Sequence, residues 1–110
     1  MQTLNFNENY NNKLNCHFFT TIRMEDKEKF FEGSKMQIKL NGKPIGFTRV
    51  VMIRKFFFYD MNEFMTTIDL GTNLEEGKKI IRTIYSHIDL SENFLLFILL
   101  ESISINQFEI

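Results

Sequence analysis

Two threonines and an arginine follow a pair of phenylalanines in "FFTTIR", residues 18–23. Aromatic and β-branched residues favour a strand, and alternation along that strand places Thr21 and Arg23 on one face. A guanidinium offers a planar fork of donors to a carboxylate, a phosphate or a base edge. A threonine hydroxyl becomes a nucleophile when a neighbouring base takes its proton. The two residues therefore suit a polar ligand, or a strand whose arginine simply pairs with a carboxylate.

A β-hairpin is predicted by the alternation on either side of Asn41-Gly42. This dipeptide is the one that a two-residue type I′ turn requires. Such a turn fixes the register of the hairpin, and it pairs Leu40 with Lys43, Ile38 with Ile45 and Met36 with Phe47. The same face then continues to Arg49, which is either a second cation for a ligand or the point where the strand leaves the core for solvent.

Two helices are predicted after the hairpin. The first is capped by Asp60, ends at Gly71 and carries an apolar stripe made of Met61, Phe64, Met65 and Ile68. The second begins with a capping pattern at Thr72, and Gly77 inside it allows a close backbone contact. Its apolar stripe consists of Leu74, Ile81, Ile84 and Ile88.

Two polar patterns near these helices have more than one interpretation. Asp69, just before the end of the first helix, either contacts a ligand or only caps the helix. Arg54 and Lys55 precede four aromatic residues at 56–59. Cations beside aromatic rings are typical of platforms for single-stranded nucleic acid, but such a run is more often a strand that enters the core.

The two ends of the chain complete the predicted elements. The spacing of Phe6, Tyr10 and Leu14 predicts a short helix, although the asparagines between them are poor helix formers. The run "FLLFILL", residues 94–100, has no polar alternation and predicts a strand buried on both faces. The elements together predict a small α/β (α+β) domain.

Composition sets wider limits. A chain of 110 residues with 44% hydrophobic and 25% charged residues is expected to form one domain, residues 1–110. A net charge of −1 gives no overall attraction to nucleic acid. Cys16, His17 and His87 have no spacing typical of a metal site, so neither a metal nor a cofactor is predicted. The single cysteine, the lack of a signal peptide and the lack of a membrane-spanning run favour a cytoplasmic protein.

The order of these elements resembles the ASCH domain of the PUA-like superfamily. The resemblance is carried by "TTIR" at the end of a strand, by the glycine-led strand "EGSKMQIKL" and by "TIDLGTNLEEGKKIIRTIY", residues 67–85. It implies a small PUA-like β-barrel with short covering helices and a cleft beside the "TTIR" strand. It also implies an RNA or nucleotide ligand, with Thr21, Arg23, Arg49 and Asp69 as the expected ligand-binding residues.

One branch of this family hydrolyses acetylcytidine with a lysine, a threonine nucleophile and a glutamate. The resemblance places the nucleophile at Thr21, but it places the lysine at Phe18 and the glutamate near Leu70. Asp69, one residue away, is the only carboxylate close to that position. Binding without catalysis is therefore the first expectation, an amidohydrolase of an acylated nucleoside is the second, and a protein-interaction module that uses the aromatic residues at 56–59 is the third.

Overall fold

The computed structural model describes residues 1–110 as a mixed α+β domain built on one five-stranded, curled half-barrel sheet. The strands lie in the order β1-β3-β4-β5-β2, and only the β1–β3 pair is parallel. Their bounds are β1 Thr3–Phe6, β2 Phe18–Met24, β3 Lys35–Leu40, β4 Lys43–Phe57 and β5 Phe94–Ile103. β1 and β2 are therefore the two edges of the half-barrel.

Three α-helices and two 3₁₀ turns connect or follow the strands. They are the 3₁₀ turns Tyr10–Asn15 and Phe58–Asp60 and the helices α1 Glu63–Leu70, α2 Leu74–Ile84 and α3 Ile105–Glu109. None of these helices combines the length and the apolar character needed to cross a membrane. One part of the core lies inside the curl of the sheet, around Leu4, Met36 and Ile98. A second part lies under α1 and α2, around Leu95 and Ile81.

The hairpin turn at Asn41-Gly42 is confirmed, but the predicted register beyond it is wrong. Both turn residues have positive φ, 52° and 80°, as a type I′ turn requires. Leu40 pairs with Lys43, but an irregularity between Ile38 and Lys39 moves the later pairs by one residue. A bulge turns each following side chain to the other face of the sheet. For this reason Thr48 and Val50 are buried, and Arg49 faces away from them.

The N-terminal helix that the spacing of Phe6, Tyr10 and Leu14 predicts is replaced by a strand and a 3₁₀ turn. Thr3–Phe6 forms β1, and Tyr10–Asn15 contains two asparagines, Asn11 and Asn12, with φ of 59° and 53°. Asparagine tolerates this left-handed conformation better than most residues, so the segment turns tightly and does not continue as an α-helix. The predicted C-terminal strand is present, and it continues beyond residues 94–100 to Ile103, where β5 ends.

The two covering helices exist, but their first residues differ from the prediction. Asn62 caps α1 by accepting from the Met65 amide, and Asn73 caps α2 by accepting from the Glu76 amide. Gly71 ends α1 in the left-handed conformation, as predicted. Gly77 lies directly against Thr66, because a Cβ at this glycine would be 2.3 Å from the threonine methyl group.

Candidate functional site

A cleft of about 270 Å³ opens beside β2, between the end of β1, the 3₁₀ turn Tyr10–Asn15 and helices α1 and α2. Its polar side chains include Thr21, Arg23, Lys13 and Asp69, and Glu8 lies exposed at its rim. The remaining lining side chains are largely apolar or aromatic: Phe6, Tyr10, Ile22, Leu70, Ile81, Ile84 and Tyr85. A small apolar pocket with a few convergent polar groups is the usual form of a small-molecule site.

Arg23 is held in the cleft from three sides. Its Nε donates to Thr21 Oγ1 at 2.9 Å, and its Nη2 donates to the Asn5 carbonyl at 2.7 Å. The guanidinium carbon lies 4.7 Å from the centroid of the Phe6 ring. Burial lowers the pKa of Arg23, which stays charged at neutral pH because arginine begins so high. The arginine thus ties β2 to β1, the two sheet edges, while Nη1 makes no hydrogen bond within the protein.

A buried ion pair forms the floor of the cleft. Lys13 Nζ lies 2.9 Å from Asp69 Oδ1, and Thr20 Oγ1 donates to the same oxygen at 2.7 Å. Lys13 is 5% exposed and Asp69 is 2% exposed. Burial lowers the pKa of Lys13, and the neighbouring Asp69 carboxylate partly offsets that effect. The charge on Lys13 therefore depends on Asp69.

The turn before β2 is what brings Lys13 to this floor. Asn11 has the left-handed backbone conformation. Its side-chain amide donates to the carbonyls of Thr67 and Ile68 at 3.3 and 3.1 Å. These carbonyls belong to the last turn of α1, and the Thr67 carbonyl also accepts from the Gly71 amide at 3.0 Å. A Cβ at Gly71 would lie 3.0 Å from the Asn11 side chain. The asparagine thus fixes the turn against the end of α1, close to Asp69.

Three of the four predicted ligand-binding residues line this cleft, and the fourth does not. Thr21, Arg23 and Asp69 are brought together, whereas Arg49 forms an ion pair with Glu101 on a different part of the sheet. His17 Nε2 lies 3.1 Å from the other oxygen of Glu101. The hydrogen bond from Arg49, followed by that from His17, lowers the pKa of Glu101. The bulge in the hairpin explains why Arg49 is directed towards Glu101 and not into the cleft.

Lys13 and Thr20 are part of the site although the sequence patterns did not indicate them. Lys13 lies in an asparagine-rich segment and meets a carboxylate 56 residues away in the chain. Phe18, at the position expected for a lysine, is exposed against the His17 ring, and Leu70 lies buried in the cleft wall. A lysine, a carboxylate and a threonine do meet, but the threonine that contacts Asp69 is Thr20 and not Thr21.

The aromatic run at 56–59 divides between core and surface. Phe56 and Phe58 are buried, whereas Phe57 stacks on Phe94 at 4.2 Å and on Tyr59 at 5.5 Å between ring centroids.

Cys16 and the two histidines do not meet in a ligand set, and no group of three or more metal-binding side chains occurs in the chain.

Two solved structures are similar to this fold. The hypothetical protein PH0355 aligns with a TM-score of 0.58 at 21% identity, over 79% of this chain and 82% of that protein. Protein EF3133 from Enterococcus faecalis V583, described with the family-model designation DUF984, aligns with a TM-score of 0.53 at 14% identity. That alignment covers 77% of this chain and 63% of EF3133. No protein-family model matches the chain, and no curated protein matches it significantly. These likenesses are of fold alone.

Proposed function

We propose that the protein is an ASCH-type, PUA-like domain that binds a nucleoside, a nucleotide or RNA in the cleft beside β2, without catalysis. The proposal rests on the hydrogen bonds that Arg23 makes and on the donor that it leaves free. Thr21 and the Asn5 carbonyl hold its Nε and Nη2, while Nη1 has no hydrogen-bond partner in the protein, and Arg23 lines the cleft. A fixed guanidinium with free donors matches a phosphate or the carbonyl edge of a base.

The other cleft residues support a planar ligand with acceptor groups. Tyr85 accepts from the Met24 amide at 3.3 Å, which leaves its hydroxyl hydrogen free for a ligand. Ile81 and Ile84 add apolar side chains to the lining of the cleft. The volume of about 270 Å³ is at the small end for ligand sites, so one nucleoside unit fits the cleft better than a larger compound. An RNA would then place a single unpaired nucleotide in it.

Thermal-shift titrations with nucleosides, nucleotides and short single-stranded RNAs test this proposal. A ligand that binds the folded state raises the melting temperature by mass action. Arg23→Lys keeps a charge but loses the fork, so we expect it to abolish the shift, while Arg49→Lys, outside the cleft, retains it. RNA binding should also weaken with added salt as phosphate contacts release counterions. Equal shifts for both variants, or none for any ligand with the wild-type protein, would contradict the proposal.

A hydrolase is the second candidate, favoured by the contact of Thr20 with the buried Asp69. Asp69 accepts the Thr20 proton as the threonine oxygen attacks the acyl carbonyl, and the charge of Lys13, which lies beside Asp69, offsets the negative charge that develops on the acyl oxygen. The acyl–nitrogen bond breaks, the nucleoside amine leaves with the proton, and water then hydrolyses the acyl-threonine. Incubation with N4-acetylcytidine tests it. Deacetylation that Thr20→Val removes and Thr21→Val retains would establish this chemistry, and no deacetylation by the wild-type protein would exclude it.

A further inference from the structure

Helix α1 leaves part of its apolar stripe exposed, although Leu70 at its end is buried. The predicted stripe includes Phe64 and Ile68, yet these residues are 66% and 41% exposed. The fully buried side chains of the helix include Thr66 and Asp69, which are polar. A helix that packs only for stability buries its apolar stripe and exposes its polar face. The orientation of α1 is set by the contacts of Thr66 with Gly77 and of Asp69 with Lys13.

The exposed stripe forms one wall of a second cavity, which we call the α1 groove. Its volume is about 490 Å³, and its apolar side chains are Met52, Phe97 and Leu99 from the sheet and Phe64, Met65 and Ile68 from the helix. This volume lies within the usual range for small-molecule sites. A continuous exposed apolar surface of this kind usually marks a binding site.

Two polar residues of the α1 groove, Arg54 and Asn62, have donor groups without a partner. Arg54 lines it and has no carboxylate partner in the chain. Asn62 uses its side-chain oxygen to cap α1, which leaves the amide hydrogens free. The Thr20 hydroxyl is already donated to Asp69. An occupant that satisfies these groups therefore brings an acceptor, and the charge of Arg54 favours an anion.

The size of the groove decides what kind of occupant fits. Nine residues line it, whereas a standard protein–protein interface involves about 20–30 residues on each side. We propose that the α1 groove binds a small amphipathic carboxylate, an apolar chain or ring whose single carboxylate pairs with Arg54. Arg54 offers two parallel donors to a carboxylate. Met52 and Met65 are flexible and adapt to the shape of the apolar part.

Isothermal titration with three probes of equal chain length tests the proposal: decanoate, decan-1-ol and decyltrimethylammonium. We expect decanoate to bind most tightly and the ammonium compound most weakly. Arg54→Gln should weaken decanoate binding about tenfold or more, because charge-assisted hydrogen bonds are lost, and should leave decan-1-ol binding unchanged. Equal affinities for the three probes, or an equal effect of Arg54→Gln on all of them, would overturn the assignment.

A second pair of variants tests the location. Ile68→Glu places a carboxylate in the groove and should abolish decanoate binding. Ile45→Glu is the matched control, because Ile45 is 48% exposed on the hairpin, outside the groove, and should leave binding unchanged. Decanoate binding that survives Ile68→Glu would overturn the proposal. So would sedimentation of the wild-type protein as a dimer that Ile68→Glu dissociates, because a second copy would then occupy the groove.

Discussion

Replacing Asp69 with asparagine tests how strongly the stability of the protein depends on the buried charge of this residue. The amide has nearly the shape of the carboxylate and still offers an oxygen to Thr20, so packing changes little. Lys13, however, is 5% exposed and would lose its only carboxylate partner. Removing one member of a buried ion pair costs about 3–5 kcal/mol, since the remaining charge stays out of water. At about 4 °C per kcal/mol, this corresponds to a fall in melting temperature of roughly 12–20 °C.

Urea unfolding followed by far-ultraviolet circular dichroism measures this effect, since the chain has no tryptophan for fluorescence. The matched control is Glu76→Gln. Glu76 lies 3.5 Å from Lys79 in an ion pair whose side chains are about 60% exposed, and such pairs contribute little or nothing measurable. The double variant Lys13→Met/Asp69→Asn removes both charges and should recover most of the lost stability. A loss below about 1 kcal/mol for Asp69→Asn would show that water reaches Lys13 and would refute the reasoning.

Three further predictions follow from local geometry. Gly77→Ala should destabilise the protein by about 1–3 kcal/mol despite the better helix propensity of alanine, and Thr66→Ala should relieve much of that loss in urea titrations. Gly42→Ala should cost about 1–2 kcal/mol because φ is +80°, whereas Gly46→Ala, at ordinary φ and in open space, should cost nothing by the same assay. Burial lowers the folded-state pKa of Lys13, so the unfolded chain binds more protons between that pKa and the ordinary lysine value. The contribution of Lys13 to stability should therefore rise with pH through this alkaline window, and Lys13→Met in the Asp69→Asn background should reduce the rise in chemical denaturation. The same pH profile for Asp69→Asn with and without Lys13→Met would contradict the assignment of Lys13 as a buried charge, whereas the wild-type profile alone also contains Tyr10 and Tyr85, whose pKa values burial raises.

Local patterns were sufficient to predict most of the fold. β2, the hairpin turn, both covering helices and the C-terminal strand were each signalled by residues adjacent in sequence. The expectation that this strand is buried on both faces is wrong, because Phe97 and Leu99 are only half-buried. β1 was missed because a four-residue strand carries too little alternation to outweigh the helical spacing of Phe6, Tyr10 and Leu14. The predicted hairpin register was wrong because a bulge depends on packing beyond the turn, and no residue pattern in the strand predicts it.

The site was predicted only where its residues lie on regular elements. Thr21 and Arg23 share a strand face, so alternation placed them together correctly, as their hydrogen bond shows. Lys13 and Thr20 were missed because their contacts with Asp69 join positions 56 and 49 residues apart. Arg49 was expected in the cleft through the register that the bulge changes. Contacts of this length depend on the tertiary fold and have no local signal.

The buried ion pair also accounts for both cavities at once. Asp69 lines the cleft, Thr20 lines the α1 groove, and their hydrogen bond lies in the wall between the two. If α1 were rotated to bury Phe64 and Ile68, the carboxylate would leave Lys13 and the groove would lose its apolar wall. An apolar floor in place of the ion pair would stabilise the chain at least as well, because burying two charges costs about as much as their attraction returns. The pair is therefore better explained by the orientation it gives α1 than by the stability it adds. On this argument, the double variant Lys13→Met/Asp69→Asn should keep most of the stability of the wild-type protein and yet lose ligand binding in the cleft and in the α1 groove.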